Sequence, residues 1–352
     1  MNSCDPFIIG VIMKEKYYNG GDLLNANCPI NFSIGNRSTG KSYYWKRYCI
    51  RRFIKYREQF IYIRRHQVDI DISIKKFFSD IANEFRDYKF EASGGEFVLI
   101  DCTGSEPVEM VCGYYFPLSG LHKIKSIPFE EVETILFDEF IPENLQYLKP
   151  LDPAYESNLL LSLYLTVARG YNKVIRDSVK IICIANLITM YNPYFTFFNI
   201  DLTNKKKEIV NNVYAEIVTN DAVAKEIRES KIGAVLECTE YGEYALNNVA
   251  LKDDKTHIVK HPNGSIAFFE LYCYEWYICY LDLDGRCYFD KGYDVTMKKK
   301  YKVVNCKDNE EIPWFKGDIV KTMKKLSEND MIYYGSMKIK ATLAGLFNVK
   351  VG

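Results

Sequence analysis

The residues best suited to chemistry in this chain form an eight-residue glycine loop. The loop has the pattern G-x-x-x-x-G-K-S and consists of Gly35, Asn36, Arg37, Ser38, Thr39, Gly40, Lys41 and Ser42. Two glycines let the backbone wrap closely around a polyphosphate, and the N–H groups of the loop and of a following helix supply positive potential. In this pattern Lys41 reaches the β- and γ-phosphates, and the Ser42 hydroxyl is a ligand of Mg²⁺. The loop therefore predicts a site for a nucleotide such as ATP, bound with Mg²⁺.

The residues on either side of the loop have the patterns of a strand and a helix. Residues 30–34 form an apolar run that is typical of a buried strand, and residues 41–57 repeat apolar side chains at helical spacing. A glycine turn that carries Lys-Ser by chance would need neither flank. Strand, loop and helix together favour a phosphate cradle.

A second strand-like run, residues 133–137, is followed by two carboxylates. Asp138 would hold the Mg²⁺ water shell opposite Ser42, and Glu139 would polarise the water that attacks the γ-phosphate. Small-molecule kinases with such a loop do not need the glutamate, because their acceptor is a substrate and not water. The pair therefore favours hydrolysis of ATP, and a nucleotide or metabolite kinase is the alternative from another class.

Two further polar residues are candidates for the same chemistry. Asn186 ends the next core strand, residues 179–186, and would lie beside the γ-phosphate unless it simply makes a turn there. Arg169 closes a predicted helix and could reach the nucleotide of a neighbouring subunit, as an arginine does in ring ATPases. Spacing alone selects Arg169 only weakly, since the chain has 46 lysines and arginines.

Strands that alternate with helices predict an α/β fold of the P-loop NTPase class. The sheet should be mainly parallel, with a hairpin added over residues 88–116 and an extra strand between the two catalytic strands (the ASCE type). We expect this ATPase domain to span residues 1–219 and a linker or lid to span 220–247. Residues 248–352 change to antiparallel strands and helical pieces, which predicts a smaller α+β domain.

Composition limits the other functions. The formal net charge is zero, so any binding of nucleic acid must come from local clusters of basic residues. Two basic triplets are candidates for such binding: Lys205, Lys206 and Lys207, and Lys298, Lys299 and Lys300. The 11 cysteines include no C-x-x-C pair and the four histidines form no ligand pattern, which favours free thiols over zinc or disulfides. No apolar stretch is long enough for a membrane span and no signal pattern begins the chain, so we expect an intracellular protein.

Four segments of the chain resemble the DNA-packaging ATPases of small, protein-primed tailed bacteriophages. They are residues 60–65, 137–141, 192–199 and 239–243. The likeness covers residues 30–219, reaches into the linker and fades over 250–352. It implies a terminase-like motor, a homopentameric ring that threads double-stranded DNA into an empty procapsid at its portal. Such a motor would act in the host cytoplasm, with a packaging RNA as a further partner.

The resemblance also implies roles for particular residues. Lys41, Ser42, Asp138 and Glu139 keep the ATPase roles given above. Arg169 falls where the family has an arginine that acts in trans, and Lys125 falls where it has a second trans-acting basic residue. The chain departs from the family in a longer N-terminal arm and in a few extra residues after Arg169.

In larger relatives the C-terminal domain is a nuclease with an RNase H-like fold. Six acidic residues are candidates for a two-metal cluster of that kind: Glu270, Glu275, Asp282, Asp284, Asp290 and Asp294. They form no recognisable triad, so we expect a vestigial, inactive nuclease that docks to the portal, an RNA or DNA. A large terminase with an active nuclease and a helicase are the open alternatives.

Overall fold

The structure, a computed structural model, describes residues 17–123, 129–143, 154–169, 174–247, 250–251, 253, 255–305 and 311–347. The chain divides into two compact units. The first unit comprises Met1–Ile141, Asn158–Leu187 and Asp201–Leu251. The second unit comprises Pro142–Ser157, Ile188–Ile200 and Lys252–Gly352.

A mixed, mostly parallel sheet forms the centre of the first unit. Its described strands are β1 (Ile30–Gly35), β2 (Gln59–Arg64), β3 (Tyr88–Ser93), β4 (Glu96–Asp101), β5 (Val108–Pro117), β6 (Val132–Asp138), β7 (Lys180–Asn186), β8 (Lys207–Val210) and β9 (Val213–Val218). They lie in the order β3-β4-β5-β2-β6-β7-β1-β9-β8. The strands from β5 to β9 in that order are parallel, whereas β3, β4 and β8 pair antiparallel at the two edges.

The strand order brings the predicted chemistry to one edge of this sheet. β7 lies between β1 and β6, so the two strands that carry the motifs do not pair with each other. The carboxyl ends of parallel strands lie at the same edge. Gly35, Asp138 and Asn186 are the last residues of β1, β6 and β7, and Gly35 is in register with Asn186. The predicted hairpin is also present, as β3 and β4 beside β5.

One helix precedes β1 in the chain, and the others lie between strands or after them. They are α1 (Gly21–Ala26), α2 (Lys41–Tyr56), α3 (Gln67–Phe77), α4 (Ala154–Ala168), α5 (Pro193–Phe198), α6 (Asp221–Glu229), α7 (Gly233–Leu236), α8 (Glu240–Asn247), α9 (Asp318–Glu328) and α10 (Met337–Leu343). α2 buries Trp45, Cys49, Ile50 and Phe53, which recur at helical spacing. Residues 220–247, which the sequence predicts as a linker or lid, form α6, α7 and α8, and these helices contact one another.

Aromatic rings fill the first core, as the composition of the chain suggests. Phe77 of α3 stacks on Phe60 of β2 at 5.5 Å and on Phe97 of β4 at 4.7 Å between ring centroids. All three side chains are fully buried. Large rings bury much apolar surface each, and offset stacking adds to that gain. This cluster fixes β2 and therefore the position at which β2 ends.

The second unit contains a smaller sheet, and α5, α9 and α10 lie within its bounds. Its described strands are β10 (Ile266–Cys273), β11 (Glu275–Leu281), β12 (Cys287–Lys291), β13 (Lys300–Lys302) and β14 (Ile332–Tyr334). β10, β11 and β12 form the predicted antiparallel meander, β13 runs parallel to β10, and β14 runs parallel to β12. Phe269, Phe289, Met323 of α9 and Leu343 of α10 belong to its core. Within the described ranges, no helix is both long and apolar enough to cross a membrane.

Candidate nucleotide site

The glycine loop joins β1 to α2 through a backbone path that needs its glycines. A Cβ atom on Gly35 would lie 2.3 Å from the carbonyl oxygen of Val218 in β9, so no larger residue fits there. Gly40 caps α2 with a φ of 91°, and Ser38 has a φ of 63°. These left-handed residues turn the chain back over the end of β1. The loop is therefore held by the sheet on one side and by the start of α2 on the other.

Lys41 lies folded into this loop. Its Nζ atom donates to the carbonyl oxygens of Gly35 (3.1 Å) and Asn36 (3.0 Å) and to Oγ1 of Thr39 (2.9 Å). Burial lowers the pKa of Lys41 to about 7, although the charges of Asp138 and Glu216 oppose that shift. A buried ammonium with neutral acceptors would gain strongly from an anion. The loop is thus prepared for phosphate oxygens.

Asp138 lies opposite the loop, at the end of β6. Its Oδ1 atom accepts from Oγ of Ser42 (3.2 Å), and its Oδ2 atom accepts from the hydroxyl of Tyr62 (3.0 Å). The carboxylate is buried. Carboxylate and hydroxyl oxygens are the donors that Mg²⁺ prefers in phosphate sites, so Ser42 and Asp138 fit this ion.

Glu139 follows Asp138 with a φ of 58°, which turns its side chain away from β6. The side chain is half exposed, and Nη2 of Arg64 lies 2.6 Å from its Oε2 atom. Nη1 of Arg64 also lies 3.4 Å from Asp138. Loss of solvent around the carboxylate raises the pKa of Glu139, whereas the charge of Arg64 opposes that rise.

Arg64 is a site residue that sequence reasoning did not assign. It is the last residue of β2, which pairs with β6, so it reaches the same edge as Asp138. The only signal in the sequence is an arginine after an apolar strand. The role of this arginine can be inferred only when it is known that β2 pairs with β6.

One cavity of about 270 Å³ joins these groups. It is lined by Asn36, Arg37, Ser38, Thr39, Gly40, Lys41, Ser42, Tyr43, Asp138, Glu139, Ile184, Ala185 and Asn186. The structure thus brings together the loop, both carboxylates and Asn186, while Gly35 contributes the turn beneath them. The loop predicted to bind phosphate, the predicted metal ligands Ser42 and Asp138 and the predicted base Glu139 all face the same space.

Arg169 lies at the other end of the sheet. The guanidinium of Arg176 contacts the carbonyl oxygens of both Val132 (3.1 Å) and Val167 (2.7 Å), which places the end of α4 beside the first residue of β6. Asp138 is the last residue of β6, about 20 Å away at roughly 3.3 Å per residue. Arg169 is exposed and follows α4 directly. It therefore cannot reach the cavity of its own chain. Lys125, the second predicted trans-acting residue, lies outside the described residues.

The acidic candidates of the second unit are engaged by cations or by hydrogen-bond donors. Glu270 is fully buried, and Nζ of Lys300 lies 2.5 Å from its carboxylate. The remaining contacts pair Asp290 with His261, Asp282 and Asp284 with Arg286, Glu275 with Lys291 and Lys338, and Asp294 with the N–H and hydroxyl of Thr296. Among the described residues, no group of three His, Cys, Asp or Glu side chains is arranged to hold a metal ion.

The basic triplets are also engaged in part. Lys205 pairs with Glu208, and Lys207 pairs with Asp22. In the second triplet Lys300 is occupied by Glu270, and Nζ of Lys299 lies 4.5 Å from the ring centroid of Phe268. All three lysines of the first triplet, and Lys298 and Lys299 of the second, are nevertheless exposed to solvent.

Comparison with known proteins assigns the chain to a family. The family described as Podovirus DNA encapsidation protein (Gp16) matches residues 12–337. The chain belongs to this family. The DNA packaging protein of Bacillus phage phi29 is 33% identical over 305 residues, which cover 85% of this chain and 86% of that protein.

Solved structures agree with the assignment. The bacteriophage Phi-29 viral genome packaging motor assembly contains a chain that matches with a TM-score of 0.69 and 31% identity, over 95% of this chain and 99% of that one. A chain of the Phi-28 gp11 DNA packaging motor shares the fold, with a TM-score of 0.64 at 17% identity, over 96% of this chain and 99% of that one.

Proposed function

We propose that this member of the encapsidation family is an ATP-driven motor that packages double-stranded DNA into a preformed phage procapsid. One observation carries the proposal: Lys41, Ser42, Asp138 and Glu139 line one cavity in a chain of this family. Packaging requires continuous turnover of ATP by water. A glutamate beside the phosphate loop supplies the base for that reaction.

Each residue has a distinct task in the proposed reaction. The loop N–H groups and Lys41 bind the β- and γ-phosphates in place of the contacts that Lys41 makes with loop oxygens. Ser42 and Asp138 would hold Mg²⁺, which supplies charge neutralisation at the phosphates. Glu139 accepts a proton from the attacking water, and Asn186 contacts the γ-phosphate and senses its loss.

The strand order supports the ASCE type of P-loop fold, because β7 lies between β1 and β6. In the second unit, the meander β10–β12 and the parallel strand β13 support an RNase H-like origin. The ion pair between Glu270 and Lys300 supports an inactive nuclease, since a fixed ammonium replaces the positive charge that a metal would supply. We propose domains over residues 1–219 and 248–352, with 220–247 as the lid.

The position of Arg169 supports the proposal that ATP is hydrolysed at the interfaces between subunits of a ring. We propose that this ring is a pentamer. Arg169 lies about 20 Å along β6 from its own Asp138, so a nucleotide that it contacts must belong to a neighbouring chain. Lys125 would assist from the same neighbour. The ring would stand at the portal of the procapsid in the host cytoplasm, contact DNA through its phosphates and use a packaging RNA where the phage encodes one.

The test is ATP hydrolysis and DNA protection from nuclease, measured with procapsids of the same phage and double-stranded DNA. We expect DNA and procapsids together to stimulate hydrolysis without any phosphate acceptor. Lys41→Ala should abolish both activities, whereas Lys89→Ala, at an exposed position on β3, should leave them unchanged. Transfer of the γ-phosphate to a small acceptor would indicate a kinase. Unwinding of a duplex or cleavage of plasmid DNA would indicate the helicase or the active terminase.

A further inference from the structure

Arg176 has no role in the site described above, yet its side chain donates to five acceptors in two separate segments of the chain. Nη1 donates to the carbonyl oxygen of Glu130 and to the carboxylate of Glu133 (2.8 Å). Nη2 donates to the carbonyl oxygens of Phe129 (2.9 Å), Val132 (3.1 Å) and Val167 (2.7 Å). The acceptors are 43 to 47 residues before Arg176 in four of the five cases.

These bonds fasten the end of α4 to the start of β6. Val167 belongs to the last turn of α4, where carbonyl groups have no partner within the helix. The backbone N–H of Arg176 donates to the next carbonyl oxygen, that of Ala168, at 2.8 Å. One residue therefore satisfies the end of α4 with both its backbone and its side chain. A cation is also favoured at the C-terminus of a helix.

Arg169 is the residue that this arrangement presents. It follows Ala168 directly, and it forms an antiparallel bridge with Ile175, the neighbour of Arg176. Arg169 and Ile175, with their neighbours Ala168 and Arg176, thus form a base in which the two stretches of chain are held together. Leu165, Val174 and Ile175 surround that base with exposed apolar side chains. An exposed arginine on a fixed base among apolar side chains suits contact with a second copy of the chain.

We propose that Arg176 is a positioning residue for the trans-acting arginine. It holds the end of α4, and with it Arg169, beside the first residue of β6. Arg169 therefore enters the nucleotide site of the neighbouring subunit in one geometry. The same guanidinium holds residues 129–133, at the start of β6. This inference rests on the proposed function, because it needs Arg169 to act on a second subunit.

The planar guanidinium is necessary for this role. It presents several N–H donors in fixed directions, whereas an ammonium has three donors on a single atom. A lysine could hold the carboxylate of Glu133 and one carbonyl oxygen but could not join β6 to α4 in the same plane. Misplacement of a reacting group by about 1 Å can lower a rate about 100-fold.

The experiment compares Arg176→Met, Arg176→Lys, Arg169→Ala and the double variant Arg176→Met/Arg169→Ala. The readouts are DNA-stimulated ATPase on procapsids, the melting temperature and the Kd of the isolated chain for a fluorescent ATP analogue. We expect Arg176→Met to lower the stimulated rate about 100-fold, Arg176→Lys to lower it by less, and the analogue Kd to stay unchanged. The double variant should be no slower than Arg169→Ala alone.

Each other outcome counts against a stated part of the account. Full activity in Arg169→Ala would overturn the trans site in the proposed function, and Arg176 would then have nothing to position. A slow Arg169→Ala with a fully active Arg176→Met would overturn only the role of Arg176. A further loss in the double variant, or a weaker analogue Kd, would show a purely structural residue. If Arg176→Met does not fold, full activity in Arg176→Lys would overturn the proposal.

Discussion

Carboxylates gather at a sheet in both units, but their surroundings differ. In the first unit Asp138 and Glu139 face a cavity, with Lys41 folded into the loop across it. In the second unit Glu270 is fully buried against Lys300. Arg64 pairs with both carboxylates of the first set, yet they still line a space that a ligand can enter. The second set is neutralised by side chains of its own unit.

This contrast shows that acidic residues alone do not predict chemistry. A carboxylate that keeps access to a ligand can bind a metal or activate water. The charge of a carboxylate that is buried beside an ammonium is already compensated. Removing the ammonium leaves a buried unpaired charge and lowers the stability of the fold. The two units therefore separate catalytic from structural use of the same residue types.

The largest expected effect compares a glutamate from each unit. Glu139→Gln should lower the DNA-stimulated ATPase about 10²–10⁴-fold, because the base for the attacking water is lost. Glu270→Gln should leave the rate per folded protein close to that of wild type. Rates are measured on procapsids after the folded fraction is determined by circular dichroism. Equal losses in the two folded variants would contradict the contrast.

The next effect concerns stability in the second unit. Lys300→Met leaves the buried carboxylate of Glu270 without its cation and should lower the free energy of unfolding of that unit by about 3–5 kcal/mol. Adding Glu270→Gln to the Lys300→Met variant should restore most of the lost free energy of unfolding, because no unpaired buried charge then remains. Urea denaturation followed by the fluorescence of Trp276 and Trp314 measures both. Lys321→Met, which removes an exposed pair with Asp318, should cause no measurable change.

A smaller effect concerns the pH dependence of the first unit. Glu139 must be deprotonated to act as a base, so activity falls as the pH falls through its pKa. Burial raises that pKa, and the charge of Arg64 limits the rise. Arg64→Gln should therefore move the acidic limb of the ATPase profile to higher pH, and Arg64→Lys should move it less. An unchanged acidic limb in Arg64→Gln would show that Arg64 does not affect the pKa of Glu139.

The smallest effect is a proton taken up when ATP binds. Because burial lowers the pKa of Lys41 to about 7, most Lys41 side chains are neutral at pH 8 before a phosphate binds. Phosphates favour the ammonium and raise that pKa, so binding at pH 8 should take up about one proton. Affinity should weaken as the pH rises above 7. Calorimetry in buffers of different ionisation enthalpy measures the uptake, and Lys41→Arg, which stays charged, should show none.

The parts of the site that the sequence predicts are those set by local pattern. Gly35 to Ser42 lie between a strand and a helix, and this geometry is contained in one short segment. Asp138 and Asn186 could be placed because both end strands of a parallel sheet. Strands, hairpin and meander also follow from residue periodicity.

The remaining features depend on contacts between distant segments. Arg64 reaches Glu139 only because β2 pairs with β6, and no local pattern states that pairing. Arg176 donates mainly to backbone carbonyl groups, which every residue type has. The sequence therefore does not indicate which residues are its partners. Residues 220–247, predicted as a linker or lid, form three helices in the described structure, and the burial of Ala224, Tyr244 and Leu246 there depends on contacts that no local pattern states.

The central claim, hydrolysis completed by a neighbouring subunit, is tested most directly by mixing two inactive variants. Glu139→Gln subunits keep Arg169 but cannot activate water, and Arg169→Ala subunits keep a whole cavity but donate no arginine. Each alone should be inactive with DNA and procapsids. Their equimolar mixture should regain ATPase activity, since some intact cavities then stand beside an intact Arg169. A mixture as inactive as its components would contradict the account.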